Sequence, residues 1–309
     1  MMDKTRAFLK HLGLPSGDLY DLPDSKKRFP DGAQYRIEIP SVEGPKTMKA
    51  VLETAQTLKV PVHRISQGSG IMLLTDDEIK EMVQLGKEYQ VEVSLFVGPR
   101  AGFDIGALPF TPAGKAIAQR LRGMDQIVYA IEDIKRACAL GIRGILVADE
   151  GLLWIVNELK KQGELPANLV VKVSVQMGQS NPISIRMMEQ AGADTYNIPT
   201  DLTLPMIAAI RQAINIPVDV YVEVPDNFGG FIRYYEIAEL IRIAAPIYVK
   251  FGLRNSPDIY PSGTHLETTS INLGKERVRR AKIGFDMIQR YYPQAIMSKP
   301  GAEGIGLPE

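Results

Sequence analysis

The chain has 309 residues, of which 45% are hydrophobic and 23% are charged, a balance typical of a globular protein that buries a large core. Lysine plus arginine and aspartate plus glutamate both total 36, so no overall field draws the molecule to nucleic acid or to an anionic membrane. The first residues lack the apolar core of a signal peptide, and no apolar stretch is long enough to span a bilayer. The single cysteine, Cys138, excludes an intramolecular disulfide and a thiolate-held metal cluster. We therefore expect a cytoplasmic protein whose partners are neither nucleic acid nor membrane.

Eight short runs of β-type residues, separated by helical patterns, organise the chain. They cover residues 35–40, 61–66, 91–97, 143–148, 169–176, 193–198, 217–224 and 247–251. Helices that connect successive strands imply a parallel sheet covered by helices, and eight such units predict an α/β fold of the (β/α)8 TIM barrel type. We expect the barrel over residues 34–297, an N-terminal extension over 1–33, and a loose C-terminal tail over 298–309.

The helical patterns between these strands give the expected helix positions. They cover residues 47–58, 76–89, 125–140, 152–162, 182–190, 204–214, 232–243 and 275–291. Thr75 precedes the second of them with capping-box spacing to Glu78. The long loops, 98–123 and 252–274, follow strands, whereas several loops that enter strands are short. This asymmetry places the functional loops at the carboxyl ends of the strands, where barrel enzymes bind their substrates.

Polar residues alternate with valine-like residues in most strands, which places charged side chains inside the barrel. Near the amino ends of the strands, we expect an ion network; its members are Arg36, Glu92, Lys172 and Asp219. Nearer the mouth, closure of the barrel places Lys250 between Glu38 and Glu223. One ammonium group between two carboxylates suits proton transfer, and the same trio could equally be a salt-bridge chain that closes the barrel.

His63 ends the second predicted strand, beside Arg64, and the face it occupies is ambiguous because the alternation fails there. His63 and His265 could meet over the mouth with Glu38 or Glu223 as metal ligands. No histidine spacing typical of a metal motif supports that arrangement. We therefore favour no cofactor, with a divalent metal as an open alternative.

Several further residues are expected on the rim of the mouth as substrate-binding groups. They are Arg64, Gln67, Arg100, Asp149, Glu150, Gln176, Asn197, Arg254 and His265, with Asp104 close by. The small-residue loop that contains Gln67 could hold an anion with its backbone N–H groups. Arg100 or Arg254 could bind a substrate carboxylate by a two-point contact. Asp149 and Glu150 could instead cap the following helix.

The segment Gly192–Ile207 resembles the sixth-strand region of the peptidase U32 family, in which a Gly-Ala strand runs into a helix start. Residues 218–230 resemble that family's next strand and its glycine-rich exit. The resemblance implies a barrel with peptide or amide hydrolase activity. Thr200 and Asp201 replace the family's Arg-Glu pair, and its cysteine-bearing signature is absent from residues 226–230. The iron–sulfur-dependent branches of the family are thereby excluded.

Together these patterns predict an enzyme that hydrolyses a C–N bond in an amide or short peptide. Acid–base catalysis would come from Glu38, Glu223 and Lys250, assisted by His63 or His265. One alternative is a lyase, aldolase or isomerase that uses Lys250 with the same carboxylates, and another is a non-catalytic ligand-binding barrel. Aromatic residues on the outer helices indicate a possible homo-oligomer.

Overall fold

A computed structural model describes residues 3–103, 106–117 and 119–309. Eight parallel strands close into a barrel in the order of the chain, with β8 paired to β1. The strands are β1 (Tyr35–Pro40), β2 (Arg64–Gln67), β3 (Glu92–Phe96), β4 (Gly144–Val147), β5 (Val170–Val173), β6 (Thr195–Asn197), β7 (Val218–Glu223) and β8 (Ile247–Phe251). The predicted (β/α)8 barrel is confirmed.

A helix follows every strand and covers the outside of the barrel. The helices are α1 (Asp3–His11) in the N-terminal extension, then α2 (Pro45–Leu58), α3 (Asp76–Tyr89), α4 (Gly123–Ala139), α5 (Glu150–Lys161), α6 (Pro182–Gln190), α7 (Leu204–Ala213), α8 (Ile237–Ala244) and α9 (Glu267–Tyr291). None of the helices within the described ranges has the length and apolar character needed to cross a lipid bilayer.

Local sequence explains where these helices begin. Thr75 and Glu78 form the predicted capping box, in which each side chain accepts a hydrogen bond from the other residue's backbone N–H and so stabilises the first turn of α3. The Asn181 side chain caps α6 in a similar way, and Pro182 occupies the first turn, where its missing N–H costs nothing.

The hydrophobic core lies between the sheet and the helices, not along the barrel axis. Ile37 and Ile39 of β1 and Val220 of β7 face outward and are fully buried under the helices. The residues between them in sequence face the axis. The lumen is therefore filled with polar side chains, and it ends in an open mouth at the carboxyl ends of the strands.

The C-terminal segment covers the amino-terminal end of the barrel, and the expectation that it is loose is wrong. Residue 297 forms a parallel bridge with Tyr35, and the Ser298 N–H donates to the Tyr35 carbonyl at 3.2 Å. Arg36 reaches from the lumen to donate to the carbonyls of Glu303 and Gly304. These buried backbone and guanidinium contacts hold the segment across the lower opening.

Candidate active site

An ion network fills the middle of the lumen. Arg64 Nε lies 3.0 Å from Glu92 Oε1, and Arg64 NH1 lies 3.0 Å from Asp219 Oδ1 and 3.3 Å from Glu38 Oε2. Lys172 Nζ binds both carboxylate oxygens of Glu38 and lies 3.5 Å from Asp219 Oδ2. The prediction that Arg64 binds substrate on the rim is wrong, because its guanidinium lies beneath the mouth and is paired with the carboxylates of Glu38, Glu92 and Asp219.

Burial and the neighbouring charges fix the protonation of this network. Burial alone would raise the pKa of Glu38, but Lys172, Lys250 and Arg64 together hold that pKa well below its usual range. Burial lowers the pKa of Lys172 to about 8, although Asp219 and Glu38 oppose the shift. The network therefore keeps a charged carboxylate beneath the mouth, together with a lysine that titrates only slightly above neutral pH.

Lys250 lies above this network, at the floor of the mouth. Its Nζ is 3.2 Å from Glu38 Oε1 and 4.2 Å from the centre of the Tyr221 ring. When the Asn197 amide donates to the Asp219 carbonyl at 3.0 Å, its oxygen accepts from Lys250 Nζ at 2.9 Å. The structure thus brings together the predicted residues Glu38, Lys250 and Asn197, and three fixed partners orient the amine.

A cavity of about 180 Å³ opens above Lys250 at the carboxyl ends of the strands. Its polar walls include Ser66, Ser174, Gln176, Asn197 and Tyr221, and its apolar walls include Phe96, Phe103 and Leu146. The volume is below the roughly 300–1,000 Å³ of pockets for drug-sized ligands. The cavity therefore suits a small molecule with few heavy atoms.

Glu223 faces away from the cavity, and its predicted place beside Lys250 is wrong. The pairing of β7 with β8 shifts between Tyr221 and Glu223, so one extra residue reverses the alternation at the end of β7. Glu223 accepts hydrogen bonds from the Tyr234 hydroxyl at 2.9 Å and from the Arg254 backbone N–H at 2.9 Å. It lies under the helices and fastens two loops, so Lys250 has one flanking carboxylate instead of two.

His63 lies at the lower end of the barrel, and its predicted place at the mouth is also wrong. It precedes β2 rather than ending it, and only 1% of its surface is exposed. Its Nδ1 accepts from the Ile37 N–H at 3.0 Å, and its Nε2 is 2.8 Å from the Ser298 carbonyl, to which the neutral ring donates. Burial lowers the pKa of His63 to about 4, so it is a neutral group that ties the C-terminal segment to β1.

The loop after β2 does bind an anion, but that anion is a side chain of the protein. The backbone N–H groups of Gly68 and Ser69 donate to the Glu43 carboxylate at 2.7 and 3.0 Å. Gln67, which we predicted to bind substrate, bonds through both amide atoms to the backbone of Gly70 and stabilises its own turn. Gly68 has no room for a Cβ, which would lie 2.5 Å from the Tyr260 ring.

Besides Arg64, four predicted rim residues do not line the cavity. Asp149 caps α5 by accepting from the Leu152 N–H, as the capping alternative predicted, and Glu150 pairs with Arg120 at 3.0 Å. Arg254 is half exposed and pairs with Asp226 at 3.0 Å. His265 is exposed in the loop before α9. Asp104 falls outside the described residues.

The two histidines proposed as metal ligands do not come together. His63 and His265 lie at opposite ends of the barrel. Across the part of the chain that the structure describes, no group of three or more histidine, cysteine, aspartate or glutamate side chains could hold a metal ion.

Arg100 does line the cavity, as predicted, and its surroundings are unusual. Its guanidinium stacks 3.7 Å from the centre of the Phe96 ring and 4.9 Å from that of Phe103. Burial lowers the pKa of Arg100 to about 10, against the opposing charges of Tyr260 and Glu43. Sequence reasoning missed Tyr260 and Ser66 as cavity residues. Position at the end of β2 could have indicated Ser66, whereas Tyr260 lies in a long loop with no periodic signal.

Part of the chain matches a known protein family. The family model of peptidase family U32 matches residues 118–224. The range runs from the loop after β3 to the end of β7 and is less than half of the chain. It contains Gly192–Ile207, on which the sequence resemblance depends, and the resemblance to this family is confirmed there. The curated proteins include none that matches this chain.

Solved structures share the barrel at low sequence identity. A protein assigned as a fructose-1,6-bisphosphate aldolase from Coccidioides immitis is 13% identical to this chain, with a TM-score of 0.51. The alignment covers 85% of this chain and 92% of that protein. A U32 peptidase is 16% identical over 78% of this chain and 99% of its own, with a TM-score of 0.41. Thiamine phosphate pyrophosphorylase from Pyrococcus furiosus is 13% identical over 82% and 98%, with a TM-score of 0.44. Identities this low show the shared fold alone.

Proposed function

We propose that this U32-like barrel is an enzyme of the lyase, aldolase or isomerase class that acts on a small carbonyl compound through Lys250. The supporting observation is the position of Lys250 Nζ in the cavity wall, where Glu38 and Asn197 fix it at 3.2 and 2.9 Å. This choice departs from the sequence prediction of a hydrolase because Glu223 and His63, two of its four catalytic residues, are absent from the mouth. A cytoplasmic location and a small-molecule substrate belong to the same proposal.

The proposed step conserves atoms and charge. The Lys250 ammonium group first gives up one proton, and its neutral amine attacks the substrate carbonyl carbon and forms a C–N bond; the carbonyl oxygen then leaves as water, with that proton and one more from the amine nitrogen. The resulting iminium carries the single positive charge that the ammonium group carried before. Glu38 stays paired with Lys172 while the Lys250 amine is neutral and pairs with the iminium once it forms, and the iminium withdraws electrons from the adjacent carbon so that a bond there can break.

Lys172 supports this step from below without touching the cavity. Its ammonium binds the same oxygen of Glu38 that Lys250 binds, so the two cations repel each other across one carboxylate. The pKa of Lys172, at about 8, lets it hold or release a proton close to neutral pH.

Reductive trapping tests the proposal. The protein is incubated with pyruvate, glyoxylate or glycolaldehyde and cyanoborohydride, and peptide mass spectrometry locates the adduct. We expect modification of Lys250 at reagent concentrations that leave Lys46, whose side chain is 67% exposed, unmodified. Lys250→Arg, which keeps the charge, should remove the adduct. Equal modification of Lys250 and Lys46 with every carbonyl compound would overturn the proposal.

The family match favours a second candidate, hydrolysis of a C–N bond at the same cavity. In that reaction the Lys250 ammonium would donate a proton to the leaving nitrogen, with Glu38 holding the ammonium in place. Turnover of an amide or dipeptide that Lys250→Met abolishes, without any trapped adduct, would select this candidate. Full turnover by Lys250→Met would exclude it.

A further inference from the structure

Arg100 is a buried cation whose guanidinium forms no salt bridge and no hydrogen bond with the residues that the structure describes. It is 5% exposed, its Nε is buried without a hydrogen bond, and its contacts are the faces of Phe96 and Phe103. Other buried arginines differ. Arg64 binds three carboxylates, and Arg211 donates to two backbone carbonyls just beyond the C-terminal end of α7. A buried cation costs free energy unless an anion or hydrogen bonds compensate it, so binding of an anion would stabilise this side chain.

We propose that Arg100 is the anchor for a substrate carboxylate, so that the substrate of the Lys250 site is a small oxo acid. This assignment rests on the proposed function for the position of the carbonyl group, and on Arg100 alone for the carboxylate. A guanidinium stacked on aromatic rings presents its N–H edge in the plane between them, the geometry that binds a carboxylate by two parallel hydrogen bonds. The apolar rings also exclude water and so strengthen that contact.

Charge and available donors favour a carboxylate over a phosphate. Arg100 is one cation, and two acidic side chains, Glu43 and Asp258, already act on it electrostatically. A phosphate group carries up to two negative charges and needs several donors. The backbone N–H groups of Gly68, in the cavity wall, and of Ser69 are occupied by Glu43. A carboxylate, with one negative charge and two acceptor oxygens, matches the two parallel N–H donors of one guanidinium and adds less negative charge than a phosphate.

The size of the cavity limits the length of the oxo acid. Arg100 and Lys250 line the same space of about 180 Å³, with Phe96 and Tyr221 among the residues of its wall. One end of the substrate would contact the guanidinium while its carbonyl carbon reaches the amine. This arrangement predicts a preference for 2-oxo acids of a few carbons over neutral ketones and over sugar phosphates.

The first experiment compares an anionic carbonyl compound with its neutral ester. The concentration of pyruvate that gives half-maximal reductive labelling of Lys250 is measured against that of methyl pyruvate. We expect Arg100→Gln to raise the value for pyruvate at least tenfold and to leave the value for methyl pyruvate unchanged. Arg254→Gln is the matched control, since Arg254 pairs with Asp226 outside the cavity, and it should change neither. Equal effects of Arg100→Gln on both compounds, or no effect, would overturn the inference.

The second experiment does not depend on Lys250 chemistry. Saturation-transfer NMR measures binding of acetate, pyruvate and inorganic phosphate to the wild type, to Arg100→Gln and to Arg100→Lys. Loss of pyruvate and acetate binding in Arg100→Gln, with partial binding in Arg100→Lys, would support the anchor even if no adduct formed, in which case the proposed function alone would fail. Carboxylate binding that Arg100→Gln leaves intact, or a site that binds phosphate in preference to carboxylates, would overturn it.

Discussion

The buried position of His63 predicts a pH-dependent stability that one variant should remove. Its pKa is about 4 in the folded protein, against 6.5 for the unfolded chain. The unfolded chain therefore binds more protons in this range, so the free energy of unfolding falls as pH falls from about 6.5 towards 4. Between pH 7 and pH 5 these two pKa values give a loss of about 2 kcal/mol from this residue.

Urea denaturation of the wild type and of His63→Gln over that pH range tests this magnitude. Glutamine retains one acceptor for the Ile37 N–H and one donor for the Ser298 carbonyl, and it does not titrate. We expect the variant to lose about 2 kcal/mol less than the wild type between pH 7 and pH 5, because His11, His265 and the carboxylates are common to both. The variant should also keep its turnover on any identified substrate. Parallel pH profiles, or a hundredfold loss of turnover at pH 7, would refute the placement of His63.

Three further outcomes follow from the lumen and its rim. Glu38→Gln leaves Lys172 without its closest carboxylate, so urea denaturation should show a loss of about 3–5 kcal/mol, and an unchanged midpoint would contradict the network. Glu223→Gln keeps an acceptor for the Arg254 backbone N–H and can donate to the Tyr234 hydroxyl oxygen, so turnover should stay within about twofold of the wild type, whereas a hundredfold loss would place this residue in the chemistry. Because the pKa of Lys172 is lowered from 10.5 to about 8, the wild type should gain stability relative to Lys172→Met as pH rises from 8 to 10, and identical profiles would count against that shift.

Periodicity predicted the barrel well because every strand has an apolar outer face that must meet a helix. The same alternation correctly placed Glu38, Lys172, Asp219 and Lys250 in the lumen, since each lies between two apolar residues of its strand that face the helices. It failed at Glu223, where one extra residue at the end of β7 reverses the face. A bulge is set by pairing with the neighbouring strand, so a single run of residues contains no signal for it.

Contacts between segments distant in sequence account for the other failures. His63 binds the Ser298 carbonyl, which is 235 residues away, and the loop after β2 binds Glu43 from the loop after β1. Residue type correctly indicated that His63 was unusual and that the loop could hold an anion. It could not indicate which partner each would find. Arg100 was placed correctly because the long loop after β3 had to lie at the mouth.

We expect the C-terminal segment to complete the barrel late in folding. Tyr35 and Arg36 belong to the first strand, yet they take part of their bonding from residues 297–304. Contacts of such long sequence separation form late because the chain must first close a very large loop. A nascent chain that has emerged only as far as β8 would still expose the lower opening, where the Arg36 guanidinium and the His63 imidazole would lack their carbonyl acceptors. We expect this protein to reach its stable state after synthesis of that segment rather than strand by strand, and its nascent form to be correspondingly sensitive to proteolysis at the amino-terminal end of the barrel.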